Sequence, residues 1–308
     1  MKTRRYPKLY IRSKNELAKH LSHSKFSKEE ALVLINDVST NFDNYWRDNK
    51  NQSKPEKDKY VRSAKRTALG RLLDNINKTI LAPHDKMLPN FIFGGVQGMN
   101  HVRAVEHLLG KKRRRILLKL DITRFFEQIS EDRVYHFFQN KCECSNKAAK
   151  LLAGFCCVSV GSKEKPEKEK TIARGFATSS RLAVWCNLDI FIKLDQLIKK
   201  RLKGKDPRMA IYVDDIGITA CKVSKEEMKK LYMEIQSLFL ESDVNQILPL
   251  NEKKMDILSH EETPEHLGLR MYRNRLAIGA KTKSKLDRAK TKSKRKALLK
   301  YKKYVENL

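Results

Sequence analysis

Three acids stand out for the company they keep. Asp214 and Asp215 are adjacent, with an apolar run leading in through Ile211, Tyr212 and Val213 and another leading out through Ile216 and Ile218. Asp121 closes a third apolar run, Ile116 to Leu120. Successive side chains on a strand point to opposite faces, so neighbouring acids converge only at a tight turn. Like charges crowded at such a turn cost stability unless a cation neutralises them. Three carboxylates gathered on a sheet edge can hold two Mg²⁺ ions about 3.5–4 Å apart, an arrangement suited to phosphoryl transfer. Mg²⁺ favours carboxylate, water and phosphate oxygen, so no histidine is required. Taken alone, Tyr212 to Asp215 reads equally well as a solvated hairpin turn, where Asp is common.

The surrounding pattern predicts the elements that would carry these acids. Ser27 and Glu30 form a capping box, and Ala31, Leu34, Val38, Phe42 and Tyr45 follow at helical spacing up to a polar break over 49–55. A second helix is predicted over 59–80, carrying Arg62, Lys65, Arg66 and Arg71. Pro89, Gly94, Gly95 and Gly98 mark a looped segment before a short helix. At 113 the chain changes character, with a basic edge and then a buried strand, Ile116 to Leu120, ending in Asp121. Helical spacing returns over 145–158, 161–171 reads as a solvated loop or hairpin tip, and one long helix is predicted from Thr178 to Leu202. Residues 208–221 read as two short strands around a turn, and Ser224 with Glu227 forms a second capping box opening a helix to about 241. Further strands are predicted near 246–249, 266–271 and 275–278. Strand, helices, hairpin, helix and strand in that order suit an α+β fold, an antiparallel sheet with helices on one face.

Charge narrows the partner. The 308 residues hold 66 Lys+Arg against 36 Asp+Glu, a formal charge of +30, and 40% hydrophobic residues are enough to build a core. A compact chain so basic repels itself unless a polyanion neutralises it, and nucleic acid is the usual polyanion. Twelve Lys or Arg and one Asp lie between Lys281 and Lys303, too basic a run for a core and a candidate phosphate-binding surface through Lys281, Lys283, Lys290, Lys292 and Arg295. No stretch of 18 apolar residues, lipidation motif or secretory signal is present, so no membrane partner is expected. The cysteines at 142, 144, 156, 157, 186 and 221 lack CxxC spacing and read as structural thiols.

Taken together, these segments resemble reverse transcriptases, in particular the compact bacterial enzymes related to retrons. Leu120 to Phe126 resembles the family's motif A, Arg174 to Ser180 its motif B, and Tyr212 to Asp215 its motif C. Asn251 and Lys254 match the Asn-x-x-Lys of the next motif, His266 to Leu269 resembles the strand after it, and Ala104 with His107 resembles the tail of the retron signature NAxxH. The likeness covers about 60 to 278. Arg174 stands where the family has Gln, Ser180 where it has Pro, Arg103 in place of the signature's Asn, and His266, Leu267 and Gly268 in place of VTG.

The resemblance implies a right-hand polymerase fold. It comprises N-terminal helices and fingers (1–112), a palm with an antiparallel sheet and part of the fingers inserted (113–271), and a reduced basic thumb (272–308). It implies Asp121, Asp214 and Asp215 as catalytic and metal-binding acids, and the Ile122 carbonyl as a further ligand. The metal would be two Mg²⁺ ions, with Mn²⁺ as a substitute. Phe126 would be the aromatic gate that excludes a ribose 2′-OH, with Phe125 in the core. Arg174, Gly175, Tyr212 and Lys254 would line the nucleotide, Gly175 by letting backbone approach the nascent pair. Lys254 would stabilise the leaving pyrophosphate. Arg62, Lys65 and Arg66 are candidates for triphosphate or template contacts, and His107 is read as structural. The implied function is RNA-directed DNA synthesis from dNTPs in the bacterial cytoplasm, on a noncoding RNA template and its RNA/DNA duplex, within a retron-like antiphage system. An effector protein or a second copy of the chain would complete the grip on the duplex. The alternatives are a group II intron-type or other bacterial reverse transcriptase outside defence, and a non-catalytic RNA-binding protein on a polymerase fold. Phe126 argues against an RNA-directed RNA polymerase, and the three acids argue against inactivity.

Overall fold

The computed structural model describes residues 6–110, 114–241 and 248–307. These divide into two compact units, each built from two stretches of chain, 1–89 with 124–188 and 90–123 with 189–308.

The first unit opens with α1 (Lys14–Leu21) and α2 (Lys28–Asn41), packed on each other through Leu17, Leu21, Ile35 and Val38. The Ser27 capping box starts α2, but the helix ends at Asn41, short of the polar break. The helix predicted over 59–80 is also shorter. Its first part is β2 (Arg62–Ser63), paired antiparallel with β1 (Arg47–Asp48). The helix α3 (Ala68–Asn75) begins only where the Thr67 hydroxyl caps the Gly70 amide, and it continues as a π-helical turn, Ile76–Leu81.

The chain then enters the second unit. The looped segment 91–94 runs alongside the strand later in the chain that carries Ile211, and Asn100 caps α4 (His101–Leu109) by accepting from the Val102 and Arg103 amides. β3 (Ile116–Asp121) follows, its Leu117, Leu118 and Leu120 buried. Back in the first unit lie α5 (Glu131–His136), α6 (Asn146–Cys156), the hairpin β4 (Cys157–Gly161) with β5 (Pro166–Ile172), and α7 (Ser179–Cys186). The segment predicted as a solvated loop or hairpin tip over 161–171 is the end of this hairpin, mostly strand, with its tip confined to 162–165. The long helix predicted from Thr178 to Leu202 is broken. Asn187 separates α7 from α8 (Leu188–Arg201), because its side chain bonds the Ala183 carbonyl and the Arg133 guanidinium instead of leaving the backbone helical.

The rest belongs to the second unit. It comprises β6 (Arg208–Tyr212), β7 (Asp215–Ala220), α9 (Lys225–Glu241), β8 (Asp256–Leu258), β9 (Glu265–His266), β10 (Leu269–Met271), β11 (Leu276–Ile278), α10 (Ala280–Asp287) and α11 (Lys292–Glu306). Four antiparallel strands in the order β6-β7-β3-β8 form the main sheet, and β9, β10 and β11 form a smaller one. Of the strand predicted near 246–249, residues 246 and 247 lie outside the described residues, and Leu248 and Pro249 are not in a strand. Its neighbour Leu250 bridges Ile122. The lysine-rich tail is not wholly solvated, since Val305 is fully buried among Leu108, Leu269, Met271 and Ile278, and Leu286 and Tyr301 pack against the same core. All six cysteines are free, and every one except Cys186 is buried.

Candidate active site

The carboxylates sit where β3 meets the β6–β7 hairpin. Asp121 and Asp215 are directly opposed on adjacent antiparallel strands, so both side chains leave the same face. Asp214 occupies the two-residue turn with Val213, whose φ of 62° is rare for a β-branched residue. That turn is fixed from two sides. The Asp214 carbonyl accepts from the Ile122 amide at 3.0 Å, and the Phe93 and Gly94 amides donate to Ile211. A Cβ on Gly94 would stand 2.2 Å from the Val213 nitrogen, so only glycine lets the 91–94 segment lie against the turn. The Gly94-Gly95 pair was legible only as a loop signal; its role in bracing motif C was not.

Opposed like charges are costly on a sheet. Burial, and then the charges of Asp214 and Asp121, push the Asp215 carboxyl up to about 6, with Lys254 and Lys119 pulling the other way. Lys254 Nζ lies 2.6 Å from Asp121 Oδ1, and Asn251 Nδ2 lies 3.4 Å from Asp121 Oδ2. The Asn251 amide also donates to the Asp121 carbonyl at 2.8 Å, which sets the Asn-x-x-Lys segment beside the acid. Desolvation alone would lower Lys254, but its bond to Asp121 and the charges of Asp121, Asp215 and Asp214 outweigh it and hold the ammonium above its ordinary range. Among the described residues, no three His, Cys, Asp or Glu side chains are gathered as a ready-made metal centre. The donor set still suits a hard divalent cation, since it offers carboxylate oxygens in excess negative charge and a side-chain cation already neutralises one of them. Tyr212 is half-buried, its ring edge-on to His101 at 6.2 Å. His107 lies against Phe93 at 5.4 Å, and burial, then Arg208 and Arg115, lower its pKa, in keeping with a structural histidine.

The remaining predicted residues of motif A, those of motif B and those of the N-terminal basic cluster lie in the first unit. Phe125 is fully buried and Phe126 nearly so, the two rings edge to face at 5.9 Å. The Arg174 guanidinium lies 4.6 Å above the Phe126 ring and bonds both oxygens of Glu127. Gly175 has a φ of 103°, and a Cβ there would lie 2.4 Å from the Arg62 carbonyl, so this glycine is already required by the protein's own backbone. Arg62 is a correction to the sequence reading. Only 4% exposed, it pairs with Asp48, donates to the Ser159 and Gly161 carbonyls, and stacks on Trp46 and Tyr60, which leaves it a structural anchor rather than a free phosphate ligand. Lys65 and Arg66 are exposed and line an open hollow of about 650 Å³ with Arg71, Lys78, Gly175 and Phe176. In the second unit, Lys281, Lys283, Lys290, Lys292 and Arg295 are all exposed on α10, α11 and the link between them.

Residues 49–271 match the family model described as reverse transcriptase (RNA-dependent DNA polymerase). The chain is 26% identical over 205 residues to the Retron Ec48 reverse transcriptase of Escherichia coli, covering 63% of this chain and 45% of that protein. It is 27% identical over 219 residues to the Retron Se72 reverse transcriptase of Salmonella heidelberg (strain 579083-10), covering 70% and 51%. The chain therefore spans about half the length of the curated relatives it matches. Among solved structures, a telomerase from Candida albicans in complex with a fragment of telomeric RNA aligns over 58% of this chain and 32% of that one, at 12% identity and a TM-score of 0.40. Among the described residues, no helix is long and apolar enough to cross a membrane.

Proposed function

Because the chain belongs to the reverse transcriptase family, we propose that it is an RNA-directed DNA polymerase that copies a bound structured noncoding RNA in a retron-like antiphage system. The observation that carries the catalytic reading is Asp121 opposed to Asp215 across β3 and β7, with Lys254 on Asp121. The family works with divalent metal ions; in our reading Asp121, Asp214, Asp215 and the Ile122 carbonyl hold two Mg²⁺. When bound, such ions supply Lewis-acid activation of the primer hydroxyl and charge neutralisation at the phosphates.

The chain's own residues do the rest. Asp121 and Asp215, held in register by the sheet, would hold the cations that bind the reacting phosphate, and most of the gain comes from positioning and preset charge. Lys254 donates positive charge, and a proton where needed, to the leaving pyrophosphate. Phe126 excludes a ribose 2′-OH, and Tyr212 borders the nucleotide. Lys65 and Arg66 contact template or triphosphate, and the cations of α10 and α11 grip the phosphates of the RNA/DNA duplex. On this reading 1–112 supplies the fingers, 113–271 the palm with part of the fingers inserted, and 272–308 a reduced thumb. An effector protein or a second copy of the chain completes the grip.

The test is primer extension on an RNA template with dNTPs and Mg²⁺. Asp214→Asn should lower incorporation by about 10³-fold or more while the protein stays folded. Robust extension by a variant carrying both Asp214→Asn and Asp215→Asn would refute the assignment.

A further inference from the structure

Arg174 occupies the motif B position where the family pattern has glutamine, and its guanidinium is paired with Glu127 and set over the Phe126 ring. Its Nε and Nη2 lie 3.2 and 3.0 Å from the two oxygens of Glu127, and its Cζ lies 4.6 Å from the centre of the Phe126 ring. The Arg174 and Glu127 side chains are only 16% and 15% exposed, so water competes little for the pair. Planar guanidinium suits this double task, because it can face an aromatic ring and pair in fork geometry with a carboxylate at once; an ammonium or a neutral amide cannot do both.

The backbone beneath is fixed as well. The Arg174 carbonyl accepts from the Arg62 amide at 2.7 Å, and Gly175 lies against the Arg62 carbonyl. Arg62 is itself held by Asp48, two carbonyls of the β4–β5 hairpin and the rings of Trp46 and Tyr60. The Phe126 ring also meets the buried Phe125, edge to face.

We propose that Arg174 is a positioning residue that locks the Phe126 ring, so that sugar selection depends on the Glu127–Arg174 pair as well as on the ring. The inference rests on reading Phe126 as the sugar gate. A ring rejects a small added hydroxyl weakly if it can yield, and strongly if it is held in steric overlap. The sequence neighbour Glu127 thereby becomes a specificity determinant without touching the nucleotide.

The experiment compares single-nucleotide incorporation of matched deoxy- and ribonucleotides by the wild type, Phe126→Ala, Arg174→Lys, Glu127→Gln and the swap Glu127→Arg with Arg174→Glu. Arg174→Lys and Glu127→Gln should each lower the deoxy-to-ribo ratio of kcat/KM by about tenfold, more than they lower deoxynucleotide kcat, and the swap should recover part of the ratio. In protein carrying fluorinated phenylalanine, the ¹⁹F line of Phe126 should sharpen in Glu127→Gln as the ring turns more freely, a readout that needs no activity. If Phe126→Ala keeps the wild-type ratio, the gate reading fails and the inference falls with it. If Phe126→Ala collapses the ratio while Arg174→Lys and Glu127→Gln preserve both ratio and line shape, the lock alone is overturned.

Discussion

Asp215 bears the electrostatic cost of the carboxylate cluster. Its pKa of about 6, against an ordinary 3.8, arises first from burial and then from Asp214 and Asp121. A carboxyl raised on folding is protonated in the native chain over a window where the unfolded chain is ionised. The native state therefore binds the extra proton, and the contribution of Asp215 to stability falls as pH rises from about 4 to about 6. Asp215→Asn removes that loss. Without added divalent cation, the variant should match the wild type near pH 4 and exceed it above pH 6 by at most roughly 3 kcal/mol, measured by urea denaturation across that range. A difference between variant and wild type that does not grow across the window would contradict the assignment. The acids and Lys254 were legible because each lies inside a short motif on a strand end or beside one. Arg62 and Arg174 were not. Arg62 read as a helix cation for triphosphate or template and Arg174 as a nucleotide-lining residue of motif B, yet their partners lie 14, 97 and 99 residues away for Arg62 and 47 for Arg174, beyond any local pattern.

At the scale of elements, the legible features were those with local causes. Both capping boxes start helices as read, with Ser27 opening α2 and Ser224 opening α9, and the apolar runs around Asp121 and Asp214 became β3, β6 and β7. The misread ones were decided by tertiary partners. Residues 59–67 have helix-compatible composition, but pairing with β1 draws Arg62 and Ser63 into a strand, and Asn187 breaks a helix by bonding Arg133 from another element. The bracing of the β6–β7 turn by residues 91–94 belongs to the same class and yields a prediction. Gly94→Ala places a methyl against the Val213 nitrogen and must push the segment off the turn. It should cost about 1–3 kcal/mol in urea denaturation. Hydrogen exchange at the Gly94 and Phe93 amides should accelerate, because their bonds to Ile211 are the ones displaced. Unchanged exchange at both would mean the methyl is absorbed elsewhere.

For the whole molecule, +30 is the dominant fact, and twelve of its cations lie in the last helical pair and the link within it. Deleting that pair would be a poor test of phosphate binding, because Val305, Tyr301 and Leu286 contribute to the core of the second unit. Changing Lys281, Lys283, Lys290 and Lys292 to Gln, with Arg295→Gln, removes exposed charge and leaves those apolar side chains in place. If these cations grip phosphates, the slope of log affinity for an RNA/DNA duplex against log salt should flatten by up to about four, close to one for each phosphate no longer neutralised. An identical slope would show that these cations do not bind phosphate. The fold has a further consequence, in the timing of synthesis. The chain passes between the two units three times, and β3 pairs with β7 and β8, strands that lie far downstream. At roughly 5–20 residues per second, β3 is synthesised roughly seven to twenty-seven seconds before its last partner. Both of its hydrogen-bonding edges stay uncovered until β7 is made and one of them until β8 is made, so the strand that carries Asp121 is also an open template for aggregation in the nascent chain.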